Sequence, residues 1–132
     1  DIIISNDSIN HLYENACRKL HYDKNAQSQY EMILLKLAAM ITAGGMMIIS
    51  DCSRINFWPL IIIANPFAPS ITWNIHQSPY LWLKLLEKIG FVFHKLTWTS
   101  PNRLGLIGKL ILGNKYFSFF RNSHFNLYVV KG

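Results

Sequence analysis

A length of 132 residues bounds this protein to at most one domain of ordinary size. It is 51% hydrophobic and 15% charged, which excludes a disordered chain and suits a packed core. The formal charge is +6, from 13 Lys and Arg against 7 Asp and Glu, a balance that admits RNA or an anionic membrane as partner.

The basic residues argue against nucleic acid, because Arg18, Lys19, Lys24, Lys84 and Arg103 are scattered and form no run. Cys17 and Cys52 make neither a CxxC nor a secreted framework, so a reducing, cytoplasmic compartment is expected. The longest apolar run, Phe57–Ala64, is far short of the roughly 20 residues of a membrane helix, so no transmembrane segment is expected.

In chain order, Asp1–Ser5 reads as a strand buried on both faces, because its centre is a continuous β-branched run. Ser5–Tyr13 follows as a loop or short helical turn. His21–Gln29 is polar, and its Asp, Asn and Ser predict broken structure. From Ser28 the period becomes helical, with Tyr30, Ile33, Leu34, Leu37 and Ile41 on one face. Gly44 and Gly45 end that helix. Met46–Ser50 is a second apolar strand, running out into Ser50-Asp51-Cys52.

Residues 54–77 are long and irregular, interrupted by Pro59, Pro66 and Pro69, yet rich in aromatic and aliphatic residues. Such a connection predicts a lid or pocket wall. Ser78 and Pro79 then open a helix as N-cap and first residue, with Trp82, Leu85, Leu86 and Ile89 as its buried stripe. Gly90 closes it. Phe91–Thr99 reads as a strand, broken by Pro101. Arg103–Leu112 is a candidate amphipathic helix weakened by Gly105 and Gly108, and Phe125–Val130 is the closing strand. The alternation predicts an α/β fold with a mostly parallel sheet, and the final strand pair is free to be antiparallel.

Ligands of open α/β sheets lie beyond the carboxyl ends of the strands. Ser5-Asn6-Asp7 and Ser50-Asp51-Cys52 both stand at such ends, and two adjacent strands with polar residues at one edge make half of a cleft. The same residue types are also ordinary turn formers.

Asp1-x-Ile3-x-x-x-Asp7-x-x-x-His11-Leu12 resembles the segment around the fourth strand of class I S-adenosylmethionine-dependent methyltransferases. The likeness continues in order. A helix runs into Thr42-Ala43-Gly44-Gly45 and a strand to Asp51, with Ala43 where that family usually has proline. A tryptophan-bearing helix, Trp82–Ile89, leads to Gly90-Phe91 and a strand. The resemblance implies a partial Rossmann-like sheet in the order fourth, fifth, seventh, sixth, with the last strand antiparallel. It implies the C-terminal half of one methyltransferase domain over residues 1–132, because the family's Gly-rich cofactor loop has no match in the chain. It implies an activity belonging to the full-length parent, with S-adenosylmethionine as cofactor and a small, partly apolar methyl acceptor.

By the same resemblance, Ser5, Asn6, Asp7 and Ile9 would hold the methionine end of the cofactor. His11 is the candidate catalytic residue, since an oxygen or nitrogen acceptor must lose a proton and histidine does this near neutral pH. A structural role for His11 weighs equally. Trp58, Trp73 and His76 are candidate acceptor contacts, with Phe57 and Phe67 beside them; the bland alternative is that they cover the sheet. Cys52 has no indicated partner and reads as a small buried residue. His76 stands outside any pairing pattern with Cys, Asp or His, and no metal ligand is expected. The competing function is a non-catalytic basic α/β module on RNA or an anionic membrane. The oligomeric state is not legible.

Overall fold

The computed structural model describes residues 1–61, 63–99 and 105–132. Its centre is an open, mixed sheet of four strands in the order β1-β2-β4-β3. β1 (Ile2–Asn6) runs parallel to β2 (Met46–Cys52), with Ile2 opposite Met46 and Asn6 opposite Ser50. β4 (His124–Lys131) lies between β2 and β3 (Phe91–Trp98) and is antiparallel to both. The order and the reversed last strand agree with the expectation for the sheet. β1 forms from a run of three isoleucines, β2 from the apolar run Met46–Ile49, and β3 from a segment rich in aromatic and β-branched residues.

The first long helix, α2 (Lys24–Ala38), starts four residues before Ser28, where the helical period sets in along the sequence. The polar stretch before Tyr30 is a helix start rather than a break. The Asp23 carboxylate caps it, accepting the backbone N–H groups of Asn25 at 2.8 Å and Ala26 at 3.3 Å. Ala26, Tyr30, Leu34 and Ala38, spaced four apart, are its buried row. At the other end Lys131 donates to the carbonyls of Ala38 and Ile41, so the last strand residue satisfies the helix terminus. Gly45 follows as a close approach: a Cβ there would lie 2.3 Å from the Ile41 side chain.

α1 (Glu14–Cys17) precedes α2, the 54–77 connection holds the short α3 (Phe57–Leu60), and α4 (Pro79–Lys88) follows that connection. Ser78 caps α4 through the Leu81 N–H, and Trp82, Leu85 and Leu86 are buried as the stripe predicts. Lys88 pairs with Glu31, tying α4 to α2. These helices cover one face of the sheet. Met47 and Ile49 of β2, with Phe125, Leu127 and Val129 of β4, meet Tyr30, Leu34, Trp82, Leu85 and Leu86 there. Tyr30 and Trp82 pack with ring centroids 5.4 Å apart.

The opposite face departs from expectation. β1 is not buried on both sides: Ile2 is 64% and Ile4 66% exposed, because no described helix lies over that face of β1. The helix α5 (Gly105–Leu112) exposes Leu106, Ile107, Leu110 and Ile111, and of its residues only Gly108 is buried, so it does not pack an apolar stripe into the core. Pro101 and Arg103, which bear on its start, lie outside the described residues. The sequence reading contains no counterpart of α6 (Lys115–Arg121), capped by Asn114 on the N–H groups of Tyr116 and Phe117. Among the described residues, no helix is long and apolar enough to cross a membrane.

Candidate functional site

A polar cleft of about 410 Å³ opens at the carboxyl edge of the β1–β2 pair. Asp7, just past β1, Cys52, the last residue of β2, and His124, the first residue of β4, border it. β4 runs against β2, so its amino end meets the carboxyl end of β2: Cys52 sits opposite His124 in the ladder. His11 enters from the turn after β1, and His76 from the 54–77 connection, beside Thr72 and Ile75.

Asp7 holds a left-handed backbone, φ +45°, pinned by its N–H on the Ser50 carbonyl at 2.8 Å. Among the described residues Ser123, next to His124, is the other non-glycine residue in that region, φ +49°. Both conformations are uncommon outside glycine, and both adjoin the cleft.

Beneath the cleft floor lies a buried polar network. His76 Nδ1 is 2.7 Å from Asp51 Oδ1, which also accepts the Cys52 backbone N–H at 2.7 Å. Asp51 and Asn10 are fully buried, and His76 nearly so. The Asn10 side-chain nitrogen lies against the imidazole, 3.2 Å from Nδ1 and 3.4 Å from Nε2. Asp51 Oδ2 and Asn10 Oδ1 are buried without a partner among the described residues. The loops carrying these groups are pinned from below. The Tyr30 hydroxyl donates to the carbonyls of Ile9 and Asn10, the Cys17 thiol to that of Ile75, and the Gln77 amide to that of Cys17. Burial pushes the Tyr30 phenol far above its usual range and the Cys17 thiol up to about 11. Both remain protonated donors at neutral pH.

At the cleft itself, burial pushes the Cys52 thiol up to about 12, reinforced by the carboxylates of Asp51 and Asp7. Burial also lowers the pKa of His124, against the pull of Asp7 and Asp51. His11 is more exposed, with 53% of its side chain open, and its Nδ1 is 2.8 Å from Glu14 Oε1. That hydrogen bond holds the Glu14 carboxyl below its ordinary range.

Of the residues expected from sequence, Asp7, His11 and His76 come together at this cleft. The others sit elsewhere. Ser5 is buried against Ser8, Oγ to Oγ 2.9 Å, and Asn6 is exposed at the strand end. Ile9 is core. Trp58 donates its Nε1–H to the Phe120 carbonyl and packs in an aromatic cluster with Phe57, Phe67 and Phe120. Trp73 packs on His76, centroids 6.1 Å apart. The 54–77 connection borders both this cleft and a larger, mostly apolar one of about 570 Å³ with His21, Gln77 and Tyr80. Sequence reasoning brought Asp51 into view, an acid at the end of an apolar strand, but gave it no role, and it passed over His124 and Asn10. The only signal for His124 was the expected antiparallel direction of the last strand.

No protein-family model matches the chain, and neither a curated protein nor a solved structure matches it significantly.

Proposed function

We propose that this chain carries the acceptor side of a class I methyltransferase site, transferring a methyl group from S-adenosylmethionine to a small, partly apolar acceptor. The observation that carries the reading is the meeting of Asp7, His11 and the Asp51–His76 pair at the carboxyl edge of two parallel strands, where open α/β sheets bind ligands. The donor set suits the methionine end of that cofactor: Asp7 offers a half-exposed carboxylate to a cationic ammonium or sulfonium group. When bound, the cofactor supplies an electrophilic methyl on sulfur. The chain's own residues do the rest. Asp51 accepts from Nδ1 and favours the His76 tautomer with its lone pair on Nε2; the Asn10 amide, 3.4 Å from Nε2, must yield that position for Nε2 to take a proton from the substrate. His11, held by Glu14, orients the acceptor at the rim. Isotope transfer from methyl-labelled S-adenosylmethionine by the full natural protein tests the reading. Saturable labelling of small acceptors, reduced by His76→Ala, is expected; no detectable cofactor binding by calorimetry refutes it.

A second reading is favoured by one observation. Beyond Asp51 the chain has a single acidic residue, Glu87, against nine Lys and Arg, and within that basic part α5 exposes Leu106, Ile107, Leu110 and Ile111 beside Lys109. An apolar helix with basic neighbours suits an anionic lipid surface. Co-sedimentation with phosphatidylserine vesicles, lost in Leu110→Glu and absent with neutral vesicles, is the outcome this reading requires.

A further inference from the structure

We propose that Asp7, Cys52 and His124 form a binding site for a single thiophilic divalent cation of the zinc class. The carboxylate, thiol and imidazole donor atoms of these residues all lie within 4.8 Å of one another. Asp7 Oδ1 and His124 Nε2 are 3.9 Å apart. Zinc bonds of about 2.0–2.3 Å in a tetrahedron place ligand atoms roughly 3.3–3.8 Å apart, so the set closes with movements of about 1 Å or less. Of the three side chains, Asp7 is half exposed and has the most room to adjust.

The surroundings of His124 suit a ligand. Its Nδ1 is 3.1 Å from Thr99 Oγ1, a partner that can hold that ring nitrogen by accepting its proton. Its Nε2 faces the Asp7 carboxylate at 3.9 Å. With the proton on Nδ1, Nε2 offers its lone pair to a cation shared with Asp7 and Cys52. The arrangement of a histidine held at one ring nitrogen and ligating through the other is the one metal sites use. Cys52 is buried and His124 partly so, which lowers the cost of excluding water from the ion. Three protein ligands leave a fourth position, and the cleft with His11 and His76 adjoins it. That position falls to water or to a donor atom of a small molecule. Asp7 retains its second carboxylate oxygen for another contact.

The test uses cobalt(II) as a spectroscopic probe for zinc, under argon with a non-thiol reductant and without S-adenosylmethionine. One equivalent of cobalt should give a near-ultraviolet sulfur-to-cobalt charge-transfer band and the intense visible bands of tetrahedral coordination, and zinc should displace both. Cys52→Ser should abolish the ultraviolet band. Asp7→Asn, which keeps the left-handed backbone and changes an exposed carboxylate only, should weaken zinc at least about tenfold in a chelator competition. His124→Gln should do the same, with thermal melts showing each variant folded. Absence of the sulfur band in the unaltered protein, or equal zinc affinity in the unaltered protein and folded Asp7→Asn, overturns the site. The readout is the metal alone, so its failure leaves the methyl-transfer reading standing, and a failure of methyl transfer leaves the metal site standing.

Discussion

Replacing Asp51 separates its part in holding the fold from its part in orienting His76. Its carboxylate accepts two hydrogen bonds of 2.7 Å, from His76 Nδ1 and from the Cys52 backbone, in a fully buried position. Asp51→Ala leaves both donors buried without acceptors. At about 1.5–3 kcal/mol for each bond to a charged group, the expected loss is about 3–5 kcal/mol. For a domain of this size that is a fall in Tm of about 12–20 °C. Asp51→Asn keeps one acceptor oxygen and the shape, so its cost is about 1–2 kcal/mol, the loss of charge assistance in the two bonds. The amide no longer enforces the Nδ1–H tautomer, however, and turnover should fall about 10²–10⁴-fold with little change in KM. Thermal melts followed by circular dichroism read the first effect, and steady-state methyl transfer by the full natural protein reads the second. Because Asp51 acts through His76, adding Asp51→Asn to His76→Ala should cost almost nothing further in kcat. A wild-type Tm for Asp51→Ala refutes the structural argument. A full additional kcat loss in the double variant refutes the orienting role.

Tyr30→Phe should cost about 1–3 kcal/mol in urea unfolding, because the carbonyls of Ile9 and Asn10 both lose their buried donor; an unchanged midpoint would show that water replaces the hydroxyl there. Cys17, with its thiol pushed up to about 11, should react with Ellman's reagent at pH 8 a few hundred-fold more slowly than a free thiol from thiolate fraction alone, and reach normal rates only in denaturant. The same raised pKa makes the Cys17 contribution to stability full below about pH 9 and progressively lost toward pH 11, as the unfolded chain ionises first; a melting profile rising over that interval contradicts the assignment. The exposed Ile2 and Ile4 on the edge strand β1 should make these 132 residues self-associate with concentration, and Ile4→Lys should reduce it; sedimentation velocity showing an invariant monomer for the unaltered chain removes the argument.

The fold was legible wherever local rules agree with tertiary ones. α4 carries its cap, its first-turn proline, its apolar stripe and its closing glycine within 13 residues, and all four operate in the structure. α2 was cut short because Asp23, Asn25 and Ser28 read as breakers. In fact Asp23 is an N-cap, and Asn25 and Ser28 occupy solvent-facing helical positions with little penalty. The burial of β1 was overestimated for a different reason. A β-branched run announces a strand that is fit to be covered on both sides, but it says nothing about whether a layer is there to cover it. α5 is the same case in helical form.

The site was half legible, and the division follows chain direction. The search for polar residues at carboxyl ends of strands found Asp7, and it brought Asp51 and Cys52 into view, because β1 and β2 are parallel and carry their ends to one edge. His124 begins its strand. In a parallel sheet it would have been a full strand length away, but β4 is antiparallel and returns its first residue to the same edge, opposite Cys52. His76 reached the cleft by another route, through a connection whose path no periodicity encodes. It is fixed there by contacts distant in sequence, to Asp51 and Asn10. A mixed sheet therefore gathers chemistry from the ends of some strands and the beginnings of others. Once the last strand is read as antiparallel, the residue just before its first apolar position belongs among the site candidates, and in this chain that residue is His124.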